Sequence, residues 1–145
     1  MTQQIFYRMF AVLSSIFCYD IWFYISHRLL HRRTLWPYHR LHHTAIYPTF
    51  LDIYKGHWVE SALQSLGTFV PMLVLPYTFL DIVLVLTFLN IRGMLRHDYR
   101  WAWFIGNHHL LHHEFPQYNY GEYWLDYIGG TLYQNNNRSS IDIQD

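Results

Sequence analysis

The chain is poor in charge, lysine and cysteine. Charged residues make up only 14% of its 145 positions, and the formal net charge is zero. The only lysine is Lys55. That leaves no basic face broad enough for a nucleic acid, so no nucleic-acid partner is expected. The one cysteine, Cys18, excludes an intrachain disulfide and a cysteine-built zinc or iron–sulfur site. It lies in an apolar run and reads as a small buried hydrophobe. No HExxH is present, which removes the usual zinc-protease arrangement. No repeat of 20–50 residues and no sustained strand-like alternation is visible. The length allows one domain at most.

What the chain has instead is apolar runs and histidine. Its mean hydropathy is near zero, but the polar and apolar residues are segregated. Residues 5–26 carry only Arg8 and Asp20, and residues 61–91 carry only Asp81. A bilayer core needs about 20 apolar residues, so the first run predicts a retained membrane helix over about 5–32. It lacks the short core and small-residue end of a cleaved signal. The second run is too long for one span. Pro76 divides it, and two halves of about fifteen residues would each rise ~22 Å. The expectation is a helical hairpin over about 58–93 that enters and leaves on the same side; a single kinked span is the alternative. Arg28, Arg32, Arg33 and Arg40 follow the first run, and Arg92, Arg96 and Arg100 follow the second. The positive-inside rule puts both exits in the cytosol.

The predicted fold is thus an all-α membrane protein: one N-terminal membrane helix, a helical hairpin and a His-rich helical cytosolic cap over 94–130. A membrane domain over 1–133 precedes a polar tail, 134–145, expected to be disordered. The cap faces the cytosol from the endoplasmic reticulum in a eukaryote, or from the inner membrane in a bacterium.

Eleven histidines are present and none follows His113. HRLLH at 27–31 places His27 and His31 on one helix face. HRLHH at 39–43 and HLLHH at 109–113 repeat one pattern, in which positions i, i+3 and i+4 cluster within one helical turn. A short amphipathic helix over about 37–45 is expected to carry the first of these. Within each pattern the adjacent pair, His42–His43 or His112–His113, points about 100° apart. Such a pair can serve two neighbouring ions or flank one. His97 stands alone after the hairpin. His27, His31, His39, His42, His43, His97, His109, His112 and His113 overfill one ion and suit two. Imidazole fits iron, zinc, copper or nickel. His57 and His108 are weaker candidates. Asp20, Asp98, Glu114 and Asp126 are carboxylates that could accept ring N–H bonds, with an arginine partner the alternative for Asp20. Tyr118, Tyr120, Tyr123 and Trp124 suit substrate access or, more simply, an interfacial belt; Asn119 and Gly121 suit a turn.

The ordered set resembles the fatty acid hydroxylase / sterol desaturase superfamily of integral-membrane, non-haem di-iron oxygenases. The likeness runs from about Asp20 to Thr131, through the three histidine boxes, HWVE at 57–60, His97 and NYGEYWLDYIGGT at 119–131. In the last stretch Leu125 separates Trp124 from Asp126, and Gly129 replaces an aromatic. The resemblance implies that the nine named histidines bind two iron ions. It further implies O2 as co-substrate, an external electron-donor protein or reductase, and hydroxylation or desaturation of a fatty acyl chain or sterol drawn from the bilayer. No catalytic residue beyond the metal ligands is expected. Some members carry a further histidine four residues before the one matching His97; here Gly93 stands there. Relatives usually carry one or two more membrane helices before the first box, which makes a second copy of the chain a candidate partner, or the chain a minimal or truncated member. Alternatives are an alkane or carotenoid hydroxylase with the same array, a membrane metal-binding protein without redox chemistry, and an inactive relative. Transporters place their ligands at the bilayer midplane. Here the histidines lie outside the apolar runs, which favours an enzyme.

Overall fold

The computed structural model describes residues 2–134; the tail expected to be disordered falls, from 135 on, outside the described residues. Among the described residues every regular element is helical and no strand forms. The helices are α1 (Thr2–Leu30), α2 (Trp36–His39), α3 (Trp58–Phe69), α4 (Phe79–Arg96), α5 (Ala102–Ile105), α6 (His108–Glu114) and α7 (Tyr123–Ile128).

α1 contains neither glycine nor proline, so nothing in its backbone interrupts the helix. It is the one helix among the described residues long and apolar enough to cross a membrane. Its two sides differ. Ile5, Phe6, Met9, Phe10, Leu13 and Phe17 are exposed, whereas Ala11 and Ser15 are fully buried. Small residues let a neighbouring backbone approach closely, and α3 uses that opening. A Cβ on Gly67 of α3 would stand 2.4 Å from Trp22 Cβ and 3.1 Å from the Cys18 carbonyl. The Trp22 indole donates to Leu63 O at 2.7 Å. Cys18 is half-buried and free at this contact.

α3 starts at His57, whose ring accepts from Val59 N at 3.2 Å. It stops where Pro71 enters the 3-10 turn Val70–Leu73. α4 begins with a reciprocal cap: Thr78 and Asp81 each bond the other's backbone. Arg8 reaches across from α1 to both, at 2.7 Å and 3.1 Å. Ser15 and Tyr77 close the same end, with Tyr77 Oη donating to Ala11 O at 2.6 Å. The connection between α3 and α4 therefore lies against the first half of α1. Their other ends, Glu60 and His97, lie among the imidazoles.

One expected element is different. Residues 36–44 do not form a continuous helix: α2 ends at His39, and His42–Thr44 is a separate 3-10 turn. The backbone stays near helical angles through Arg40 and Leu41. However, Thr44 N bonds Leu41 O at 3.3 Å, the i−3 spacing of a tighter turn. The tightening alters the angles between His39, His42 and His43 from those of a regular helix.

Candidate metal centre

Two neighbouring groups of imidazoles fill the space between the inner ends of α1, α3 and α4 and the short helices α2 and α6. One consists of His27, His31, His39, His43 and His112; the other of His42, His97, His109 and His113. Within each group the nearest nitrogens all lie within 4.8 Å of one another. The groups adjoin: the His43 and His113 rings are 4.9 Å apart, and His39 and His42 5.3 Å. All nine residues singled out by spacing are here. His57 and His108 belong to neither group.

Five of the nine rings have their tautomer set by a backbone carbonyl. His27 Nδ1 lies 2.6 Å from Tyr120 O, and His112 Nδ1 2.6 Å from Tyr118 O. His97 Nδ1 meets Gly93 O at 2.8 Å, His113 Nδ1 meets Ala45 O at 3.1 Å, and His42 Nδ1 meets Lys55 O at 3.3 Å. A carbonyl can only accept, so Nδ1 donates in each case and the neutral ring's lone pair is on Nε2. Those Nε2 atoms point inward. His97 Nε2 and His42 Nε2 face each other at 3.0 Å with no proton available between them. His27 and His39 Nε2 are 3.0 Å apart, His31 and His112 Nε2 3.1 Å, and His43 and His112 Nε2 3.2 Å.

Facing lone pairs repel unless a cation lies between them. An added proton is a poor candidate for that role. Burial and the neighbouring rings hold His39, His42, His109 and His112 well below the usual imidazole range. Burial pushes His31 and His97 down to about 4 and His43 to about 3; with its neighbours it pushes His113 to about 2. The two groups could each hold a metal ion in that place. An ion with bonds of about 2.1 Å to imidazole holds ligands at right angles about 3.0 Å apart, against about 3.4 Å in a tetrahedron. The observed 3.0–3.2 Å spacings are within reach of ligands that share one ion. His113 Nε2, buried and without a hydrogen-bond partner, points to the same use.

Around the rings, the carboxylates are placed differently from the sequence expectation. Asp20 meets no ring. It forms a close ion pair with Arg92, which also reaches Glu122 at 3.3 Å, and Glu122 pairs with Arg96. A carboxylate low in a membrane helix is neutralised most directly by a guanidinium from the adjoining helix. Asp98 caps the 3-10 turn Tyr99–Trp101 and pairs with Arg100. Glu114 ends α6 on the exposed side. Asp126 accepts from a ring, but from His108, at 3.0 Å. Glu60 is the carboxylate that approaches the two groups. Its Oε1 is 3.0 Å from His39 Nδ1 and 3.9 Å from His42 Nδ1, one ring of each group. The His39 contact lies off the hydrogen-bond line, and Glu60 Oε2 has no partner. A Cβ on Gly56 would stand 2.8 Å from that oxygen, so a side chain there would push the carboxylate from its present position. The sequence clue for Glu60 was its place one helical turn after His57.

A cavity of about 480 Å³ opens beside the rings, between α1, α3 and α4. His27, His42, His97 and His109 reach its wall. Phe23, Leu86 and Leu89 give it apolar sides, and Ser61, Gln64 and Thr68 a polar edge along α3. Its size is within the range of small-molecule sites.

Comparison with known proteins gives a consistent picture. Residues 12–131 match the family described as Fatty acid hydroxylase. Among similar proteins are a Delta(7)-sterol 5(6)-desaturase of Gibberella zeae, 30% identical over 123 residues (77% of this chain, 34% of that protein), and the Lathosterol oxidase of Homo sapiens, 30% identical over 133 residues (84% and 44%). A Delta(7)-sterol 5(6)-desaturase of Schizosaccharomyces pombe is 34% identical over 127 residues (78% and 40%). The chain therefore spans less than half the length of these relatives. No solved structure matches it.

Proposed function

The chain belongs to the fatty acid hydroxylase family, and from that premise we propose that it is an integral-membrane oxidase that uses O2 to hydroxylate or desaturate a lipid. A sterol is the favoured substrate, given the names of the relatives. The observation that carries this reading is the set of inward Nε2 atoms 3.0–3.2 Å apart, with at least one carbonyl-anchored ring in each pair and two in the His42–His97 pair. His27, His31, His39, His43 and His112 would hold one iron and His42, His97, His109 and His113 the other. The two irons would supply O2 activation and abstraction of hydrogen from an unactivated C–H bond, chemistry that belongs to the cofactor rather than to any side chain.

The protein's own residues hold, orient and shield. Either outcome consumes one O2, two electrons and two protons. Hydroxylation gives the alcohol and one water; desaturation gives the alkene and two waters. The electrons come from an external donor protein or reductase. Phe23, Leu86 and Leu89 would enclose the lipid, and Ser61 and Gln64 would meet its polar end. Glu60 Oε2, unpartnered on the cavity wall, is placed to hold a proton for departing water.

In the bilayer, α1 spans, while α3 and α4 form a hairpin with both inner ends on the imidazole side. Arg8, bonded to Asp81, stands nineteen residues before His27 on α1, a rise of about 28 Å. That is close to the thickness of the hydrocarbon core. Arg28, Arg32, Arg33 and Arg40 are exposed at the imidazole end, which supports a cytosolic placement of that face. Arg92 and Arg96 contribute less to this orientation because both are engaged with Asp20 and Glu122.

Lipid profiling of a host expressing the protein beside a His112→Ala variant tests the reading. The expected result is a hydroxylated or newly unsaturated lipid that the variant host lacks. Identical lipid profiles would overturn it.

A further inference from the structure

The two imidazole groups are braced by different parts of the chain. The carbonyls that fix His42, His97 and His113 come from Lys55, Gly93 and Ala45. Those that fix His27 and His112 come from Tyr120 and Tyr118, in one loop between α6 and α7. That loop is tied down by the side chains of Asn119, which bonds His108 O and Tyr133 N, and of one buried carboxylate. Asp126 is fully buried. Its Oδ1 accepts from Tyr120 N at 2.8 Å and from Thr131 Oγ1 at 2.7 Å. Its Oδ2 accepts from Gly121 N at 2.8 Å and from His108 Nε2 at 3.0 Å. Thr131 N bonds Asp126 O, and Asn119 N bonds Thr131 O, both at 2.8 Å. Asn119 turns the chain at φ 57, a conformation asparagine tolerates.

We propose that Asp126 is a positioning residue for the five-imidazole group alone, acting through the Tyr118 and Tyr120 carbonyls. It approaches no member of either group. Each of its two oxygens faces one backbone N–H. In Asp126→Asn, the amide NH2 must therefore oppose a backbone donor in either orientation; rotating Thr131 or changing the His108 tautomer cannot relieve it. Two buried donors then face each other, and the loop must shift. His27 and His112 lose their alignment, while the carbonyls behind His42, His97 and His113 stay where they are.

The proposal rests on the reading that each group holds an ion, so the test begins with the unaltered chain. Full-length protein in detergent is loaded anaerobically with ferrous iron alone, and bound metal per chain is measured across a titration. Two ions are expected; a chain that binds none removes the metal reading itself, whatever Asp126 does. Asp126→Asn, with helicity checked by circular dichroism, should keep one ion. Adding His112→Ala to it should leave the affinity of that retained ion unchanged, while adding His109→Ala should remove it. Outer partners of ligating histidines are typically worth 10–100-fold in affinity, and that loss should fall on one ion only. Two ions retained within threefold of the original affinities, equal weakening of both, or a surviving ion that needs His112 would each overturn the proposal. Thr131→Val removes one of the four donors and leaves the backbone amides in place. It decides the matter if Asp126→Asn does not accumulate: about tenfold weakening at one ion supports the proposal, and unchanged or equally weakened binding ends it.

Discussion

HRLHH at 39–43 and HLLHH at 109–113 are the same pattern, yet the fold distributes them in opposite directions. The first gives its outer pair, His39 and His43, to the five-imidazole group and its middle residue, His42, to the four. The second gives His109 and His113 to the four and His112 to the five. Each group thus receives three rings from the two boxes, two from one and one from the other. They differ only in what is added: the end of α1 and the residue just after it contribute the His27–His31 pair, whereas the C-cap of α4 contributes His97 alone. One turn before His97, where a matching partner ring would stand, is Gly93. Its carbonyl anchors His97, and a Cβ there would meet the tip of Ile53 at 2.4 Å. The smaller group is also the one more open to the cavity, with His42, His97 and His109 on its wall against His27 alone from the larger. Near-equivalent sets made from one repeated motif can therefore divide the work, one enclosed and one facing the substrate space.

The largest effects should come from the rings that differ most between the groups. His112→Ala and His109→Ala should each remove a different ion, with at least about 100-fold weaker binding of that ion, at or beyond the upper end seen for outer partners. Metal analysis that showed both variants losing the same ion would erase the division. Glu60→Gln comes next. Because Glu60 Oε1 approaches a ring from each group, binding of both ions should weaken, by about tenfold. A loss confined to one ion would show that Glu60 serves only that group.

Acid should then weaken both groups of the metal-free protein. The rings are neutral when folded, with His31 and His97 held down to about 4, against about 6.5 when unfolded. Between those values the unfolded chain binds more protons, so stability is lost as pH falls from 6.5 towards 4 and is fully present above 6.5. Thermal unfolding in detergent should show Tm falling steadily through that window; a flat profile would mean that some rings are already protonated in the fold. The smallest effect belongs to His57→Ala. It removes a helix cap worth about 1 kcal/mol and should leave both ions in place. A change in metal content would extend the array beyond nine rings.

Much of this arrangement was legible in the sequence because imidazoles at i and i+4 on a helix must share a face. That is why His27 with His31, and His109 with His113, were identifiable before any coordinates. The apolar run of α1 was equally plain. The helix expected over about 37–45 is instead two short turns, because the pattern His39, His42, His43 suits a helical turn and a 3-10 turn equally well, and only tertiary contacts choose between them. Asp20 was open to two readings because a carboxylate seven residues before a histidine is two helical turns away from it. Its nearer neighbour, Arg92, is 72 positions along the chain. The anchoring of the rings was invisible for a different reason: a backbone carbonyl has no residue identity, so nothing at Tyr118, Tyr120, Lys55, Gly93 or Ala45 announces that role.

Because those five acceptors are main-chain oxygens, the role itself asks nothing of a side chain, and substitutions at Lys55, Ala45 and Tyr118 should pass with little consequence; Gly93, crowded by Ile53, and Tyr120, packed on the rings, are held for other reasons. The vulnerable change is one of length. A single residue inserted between His113 and Tyr118, or between Ala45 and Lys55, would leave every histidine in place and yet displace the oxygens they lean on.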